Sequence, residues 1–317
     1  VRRNRQPQEL LAQPRHDEMK ALLVLAFTTV MALAVQPAFA QDDGARVYQL
    51  QPVGAKNITA FAVAKRGNEA PEPGTFNPGI DTDTNIFVMR YVETFDVAGL
   101  SFNPFVILPS GEVESTGAPR SGGFGDMQIG GTLGLVGAPA LSQEDFAAFR
   151  PGFGMNLFAK VFLPTGAYSN AQPVNLGSNR LTWQVGLPAS FAWGGSYRDP
   201  SLTTLEVFPT LTFYEDNDDP FAATRSSKDP LFTVEAHLTR NLSQRVWLSA
   251  DLLYRQGGET STDGVGDNNR MHGWSAGGTA TFPIGPTALA LTYEHVIERR
   301  DEGPDGWFFR AALIVPL

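Results

Sequence analysis

Nine ionisable side chains, Arg90, Lys160, Glu206, Glu235, His237, Asp251, Arg255, Glu294 and Arg310, fall in stretches of this sequence where the adjoining positions are apolar. Glu235 and His237 are two residues apart, so on a strand they share a face, and a carboxylate beside an imidazole can orient a general base. Hydrolysis would also need a nucleophile. The histidines after residue 40 are His237, His272 and His295. Ser275 and His295 fall on neighbouring predicted strands but on opposite faces, so they do not meet, and no strand-turn-helix nucleophile elbow is expected. Two roles remain for the nine charges: lining a water-filled pore, or closing a narrow lumen as salt-bridged plugs. Their signs are mixed, so neither a strong cation nor a strong anion preference is expected.

Metal chemistry finds less support. Asp81-Thr82-Asp83, Glu215-Asp216-Asn217-Asp218-Asp219 and Asp263-Gly264-Val265-Gly266-Asp267 are rich in oxygen ligands. None has the twelve-residue calcium-loop pattern with its terminal Glu, and nothing has zinc-site spacing. These segments read as solvated loops, with weak divalent bridging to lipopolysaccharide as the alternative. No metal or cofactor is expected.

The elements that must carry the nine charges are strands. From Leu181 to Trp193 every second side chain is apolar (Leu181, Trp183, Val185, Leu187, Ala189, Phe191, Trp193), with small or polar residues between. A period of two puts these sets on opposite faces. The pattern recurs at Asn57–Lys65, Asn85–Phe95, Leu100–Leu108, Asp126–Val136, Gly152–Leu163, Leu181–Trp193, Thr203–Tyr214, Leu231–Thr239, Arg245–Arg255, Gly273–Ile284, Ala288–Ile297 and Trp307–Leu317. Twelve is an even number, as a single-chain outer-membrane barrel requires, and the lengths suit tilted crossings. Long hydrophilic connections follow the odd strands, and tight ones such as Asp96–Gly99 and Gly285-Pro286 follow most even strands. Residues 137–151 and 194–202 are predicted as unusually long periplasmic turns. A charge facing lipid at midplane costs about 2–4 kcal/mol, which turns the nine ionisable residues inward. Trp183, Trp193, Trp247, Trp274, Trp307, Tyr214, Tyr254 and Tyr293 lie near strand ends, where those facing outward would form an interfacial girdle.

Met19-Lys20, an apolar run from Ala21 to Val35, and Ala38-Phe39-Ala40 have the pattern of a cleavable signal peptide ending at Ala40. Residues 1–18 are unlike any leader and are expected to be an upstream extension from a misassigned start. Residues 41–56 are expected as a periplasmic amino-terminal segment, and 57–317 as the barrel. Cysteine is absent, which excludes a lipoprotein anchor and a disulfide scaffold. Residues 1–40 carry five basic and three acidic side chains, leaving 19 basic and 30 acidic, a net charge of −11. Nucleic acid is therefore not an expected partner.

Two segments carry a family likeness: Gly122-Gly123-Phe124-Gly125-Asp126-Met127-Gln128-Ile129, entering a strand, and Lys160-Val161-Phe162-Leu163-Pro164-Thr165-Gly166-Ala167-Tyr168, leaving the next. With the carboxy-terminal strand pair, they make the chain, over roughly 57–317, resemble the phenol-degradation MetA-pathway outer-membrane proteins. That resemblance implies a channel-forming barrel found beside pathways for aromatic or other hydrophobic compounds. Locally, Pro164-Thr165-Gly166 is a turn tripeptide ending a strand at the outer rim, and neither motif is expected to touch solute.

The sequence thus predicts an all-β, twelve-stranded antiparallel transmembrane barrel in a Gram-negative outer membrane. It would be a non-enzymatic, porin-like transporter for passive diffusion of small hydrophobic or aromatic solutes, lined by the nine residues above. Outer-membrane lipid, lipopolysaccharide and the outer-membrane assembly machinery, which reads the aromatic-apolar last strand, are its expected partners. A lipase- or deacylase-like hydrolytic barrel and a closed structural or adhesive barrel are the alternatives.

Overall fold

A computed structural model describes residues 43–301 and 303–317. The expected extension and leader, residues 1–40, lie outside the described residues. Among the described residues twelve long strands form the barrel wall: β1 (Lys56–Gly67), β2 (Thr82–Glu93), β3 (Leu100–Ser115), β4 (Met127–Val136), β5 (Phe153–Leu163), β6 in two halves (Thr182–Gly186 and Ala189–Trp193), β7 (Thr203–Tyr214), β8 (Leu231–Asn241), β9 (Trp247–Gly257), β10 (Met271–Ile284), β11 (Thr287–Arg299) and β12 (Gly306–Pro316). Each pairs antiparallel with the next. β12 then pairs with β1 from Asn57↔Pro316 to Gly67↔Gly306, so the wall closes without an edge. β3 runs well past the expected Leu108 and pairs beyond the wall with Ser121–Phe124.

The alternation puts a greasy face outside. Trp183, Val185, Leu211, Phe213, Leu238 and Leu248 are exposed, as lipid-facing side chains must be. The inner face is dominated by buried threonines, among them Thr59, Thr132, Thr210, Thr233, Thr239, Thr279 and Thr292. Threonine suits this position because its branched carbon favours strands while its hydroxyl faces a polar interior. Trp183, Trp193, Trp274, Tyr293 and Trp307 fit the girdle. Tyr214 and Trp247 do not: the Tyr214 hydroxyl donates to the Pro73 carbonyl at 2.8 Å, and Trp247 stacks under Arg46 inside the barrel.

Pro188 splits β6 because it has no N–H for the ladder. The halves stay tied through Asn156 N–H to the Pro188 carbonyl (2.9 Å) and Leu187 N–H to the Pro209 carbonyl (3.2 Å). At the short-turn end, Ala98 and Gly99 both have positive φ (54° and 83°), the combination a two-residue hairpin turn needs. The two long turns at this end meet. Residues 137–152 contain a short helix, Gln143–Ala148, capped by Ser142, and its Phe146 stacks on Tyr197 of the other turn at 5.2 Å.

At the opposite end two loops fold inward. Phe76, from the loop after β1, is fully buried against Leu231 and Met271. Val174 and Leu176, from the loop after β5, pack on Ile86, Val88 and Val113 of the inner wall. Ser226–Lys228, Thr260–Thr262 and Val265–Gly266 form a separate three-stranded sheet from the connections after β7 and β9.

Candidate functional site: a divided lumen

Residues 43–55, expected on the periplasmic side, run into the barrel from the short-turn end. Gly44 and Arg46 adopt positive φ (92° and 62°), which lets the backbone turn back within the lumen. The segment is held by the wall on several sides. The Arg46 N–H donates to Glu206 Oε2 (2.7 Å), its guanidinium donates to Thr239 Oγ1 (2.7 Å) and Asn241 Oδ1 (2.7 Å), and it lies 4.8 Å over the Trp247 ring. The Asp43 N–H donates to Glu235 Oε2 (3.2 Å), and Lys160 approaches the Asp43 carboxylate at 3.5 Å. Tyr48 meets Phe158 and Phe208 edge-on at 5.3 and 5.0 Å, and its hydroxyl donates to Asp43 (2.8 Å).

The nine residues predicted as lumen-lining project from the inward faces of their strands. Seven of them, Lys160, Glu235, His237, Asp251, Arg255, Glu294 and Arg310, are buried. They fall into distinct groups. His237 sits between two carboxylates, with Nδ1 at 2.8 Å from Asp251 and Nε2 at 3.4 Å from Glu235, and the Thr279 hydroxyl donates to the other Asp251 oxygen at 2.7 Å. Glu206 and Glu235 accept N–H groups of the inserted segment. Arg255 makes two bonds of 2.6 Å to Glu69 near the outer end, with Lys65 on the same carboxylate. Arg90 lies over the rings of Phe105 (5.0 Å) and Tyr48 (5.9 Å), and Arg310 over Phe308 and Phe61.

Among the described residues, the serine and histidine weighed for hydrolysis do not meet. Gly273-Trp274-Ser275-Ala276-Gly277 has the spacing of a nucleophile elbow, but it lies within β10 rather than at a strand-to-helix turn. Ser275 pairs across the sheet with Val296, and His295 is exposed on the outer face. Among the described residues no group of three His, Asp or Glu side chains is arranged to hold a metal ion.

The inserted segment leaves space on both sides. Towards β5–β8 lies a narrow cleft lined by Tyr48, Phe208, Tyr197, Glu206, Glu235 and His237. On the other side a larger cavity of about 400 Å³ is bounded by Phe61, Arg90, Asn103, Thr132, Trp247 and Arg310. Both combine apolar or aromatic walls with a few polar groups, the composition of small-molecule sites.

Sequence reasoning missed the residues that fasten the outer cover. Glu72 receives Arg180 at 3.0 Å and Lys228 at 3.1 Å, joining the connections after β1, β5 and β7, and Lys228 also donates to the Pro73 carbonyl at 2.7 Å. Burial alone would raise the Glu72 carboxyl, but the two cations hold it below its ordinary value. Burial pulls Lys228 down to about 8 in spite of Glu72. Glu69 lies lower still: burial raises its carboxyl, but Arg255 and Lys65 more than offset this and hold it at about 2. The two motif segments meet here as well. Asp126 accepts the Gly166 N–H (2.9 Å) and the Ser178 N–H and hydroxyl (2.8 and 2.6 Å), stitching the Pro-Thr-Gly turn to the inward-folded loop. Burial raises the Asp126 carboxyl, and these bonds counter part of that rise.

The fold matches a solved outer-membrane channel. The COG4313 outer membrane channel from Pseudomonas putida F1 superposes with a TM-score of 0.71 at 20% identity, over 87% of this chain and all of that one. The β domain of the Bordetella autotransporter BrkA gives 0.47 at 11% identity, over 83% and 100%. The translocator domain of the autotransporter NalP from Neisseria meningitidis gives 0.47 at 10%, over 94% and 97%. No curated protein matches the chain. A closed wall that is apolar outside and polar within belongs in a Gram-negative outer membrane. The family model described as "Putative MetA-pathway of phenol degradation" matches residues 62–304, and the chain belongs to that family.

Proposed function

We propose that this barrel is a non-enzymatic outer-membrane channel through which small hydrophobic or aromatic solutes diffuse passively. The observation that carries this reading is the unfilled space on both sides of the inserted segment, walled by aromatic rings and a few charged groups. A closed structural barrel would gain by packing that space with side chains, because unfilled volume forfeits dispersion contacts. Arg90, Lys160, Glu206, Glu235, His237, Asp251, Arg255, Glu294 and Arg310 would set the polarity of the passage, with Glu69 and Glu72 fastening its outer cover. Residues 1–40 would be removed or absent in the mature protein, and the outer-membrane assembly machinery would read the last strand. Outer-leaflet lipopolysaccharide would surround the wall.

The test is planar-bilayer recording on the purified mature barrel, with liposome uptake of a neutral aromatic solute such as benzyl alcohol. Discrete currents, altered by Arg255→Ala or Asp251→Ala, support the channel. Silent bilayers together with solute-impermeable liposomes refute it.

A further inference from the structure

We propose that the larger luminal cavity is a binding site for hydrophobic monocarboxylates, with Arg90 receiving the carboxylate. The proposal rests on the channel reading only in that solutes must reach the lumen. Arg90 projects inward from β2, and among the described residues it makes no hydrogen bond and no ion pair. Its Nε is buried without a partner. What holds it is aromatic: the Phe105 and Tyr48 faces described above cover the guanidinium on two sides. An arginine packed on rings keeps its charge but loses hydration, and its planar fork then suits a bidentate carboxylate.

The surroundings point the same way. Among the described residues four cationic side chains, Arg46, Lys56, Arg90 and Arg310, border the cavity, against a single carboxylate, Asp43. Asp43 is already engaged by the Tyr48 hydroxyl and Lys160. Lys56 pairs with Glu93 at the rim, the Arg46 guanidinium is held by Thr239 and Asn241, and Arg310 donates to Thr292 Oγ1 at 3.5 Å, so among the described residues Arg90 is the cation left to meet an incoming anion. Beyond it the wall turns apolar through Phe61, Val92, Ala290, Ala312 and Ile314, which would take the body of the solute. The cleft across the inserted segment has the opposite character: among the described residues Glu206 and Glu235 line it and no arginine or lysine does. The segment therefore separates an anion-accepting side from an anion-repelling one.

Isothermal titration of the full barrel in detergent at pH 7.5, with benzoate and benzyl alcohol as probes, tests this. Benzoate should bind at least tenfold more tightly than benzyl alcohol, and Arg90→Gln should abolish the difference, with Arg90→Lys intermediate. Thr59 faces Arg90 directly across β1 and β2, so Thr59→Glu supplies an internal carboxylate and should displace benzoate without removing the arginine. This second variant decides the matter if Arg90→Gln fails to form the heat-modifiable barrel. Equal affinities in the wild type, or a preference that survives the substitutions that fold, overturn the proposal. Binding is read at equilibrium, so a barrel that selects benzoate yet passes no current refutes the channel and not the site. Conduction without the preference does the reverse.

Discussion

Replacing Glu69 by Gln should release the outer cover, and the size of the effect follows from its carboxyl. A carboxyl held at about 2 against an ordinary 4.5 is stabilised as the anion by roughly 3 kcal/mol, at about 1.4 kcal/mol per pKa unit. Glu69 is 3% exposed, so solvent screens little of this. The value agrees with the roughly 3–5 kcal/mol lost on breaking a buried ion pair and leaving Arg255 without its bidentate partner. A shift of that size changes the ratio of inward to released loop on the order of a hundredfold, at about 1.4 kcal/mol per tenfold. Because the folded pKa is depressed, the stabilisation is complete above about 4.5 and is lost as the pH falls from there through about 2. In planar bilayers the wild-type current should therefore be steady near pH 7 and rise progressively below pH 4.5. Glu69→Gln should already carry the larger current at pH 7 and be indifferent to acid over the same range. Glu69→Gln traces that match the wild type at both pH values would refute the reasoning, as would a loop that stays protected from protease in the variant.

Three further perturbations follow from other contacts. Asp126→Ala removes three hydrogen bonds and should cost about 2–4 kcal/mol, at roughly 1 kcal/mol each with some charge assistance; a lower temperature for loss of heat-modifiable mobility would register it. Phe76→Ala empties a fully buried site in the loop after β1 and should cost about 3–5 kcal/mol. Its signature would be new protease cleavage between β1 and β2 with the barrel itself intact. Arg46→Ala removes the guanidinium bonds to Thr239 and Asn241 and the stack on Trp247, so the inserted segment should loosen. Larger and noisier single-channel currents, with altered tryptophan emission, are the expected readouts.

The wall was readable because a period of two leaves no ambiguity once lipid lies on one side: a one-residue slip of Leu211 and Phe213 would bury grease and expose Thr210 and Thr212 to the bilayer. The inward direction of Glu235, His237 and Asp251 followed from the same parity. What parity cannot carry is anything joining distant segments. Glu72 lies in a proline-rich connection and looks solvated until Arg180 and Lys228 are brought to it from 108 and 156 positions away. Arg46 and Tyr48 belong to a stretch with no periodicity, so their insertion left no trace in the hydrophobic pattern. The motif residue Asp126 could be noticed but not interpreted, because its partners Gly166 and Ser178 are contributed by a loop whose path only folding reveals. Tyr214 obeys the same parity: counting on from Thr210 and Thr212 puts this strand-end aromatic on the inner face, where its hydroxyl meets Pro73.

The wall is sealed by its first and last strands, and the Leu317 N–H even reaches back to the Lys56 carbonyl at 3.0 Å. The residues that must find each other are therefore those farthest apart along the chain, so no portion emerging early from synthesis can complete the ring. Loss of β12 would strip partners from both β11 and β1, presenting two rows of bare amide groups to hydrocarbon at several kcal/mol per group. A shortened chain would thus never mature into a smaller pore; it would stay outside the bilayer as prey for periplasmic proteases.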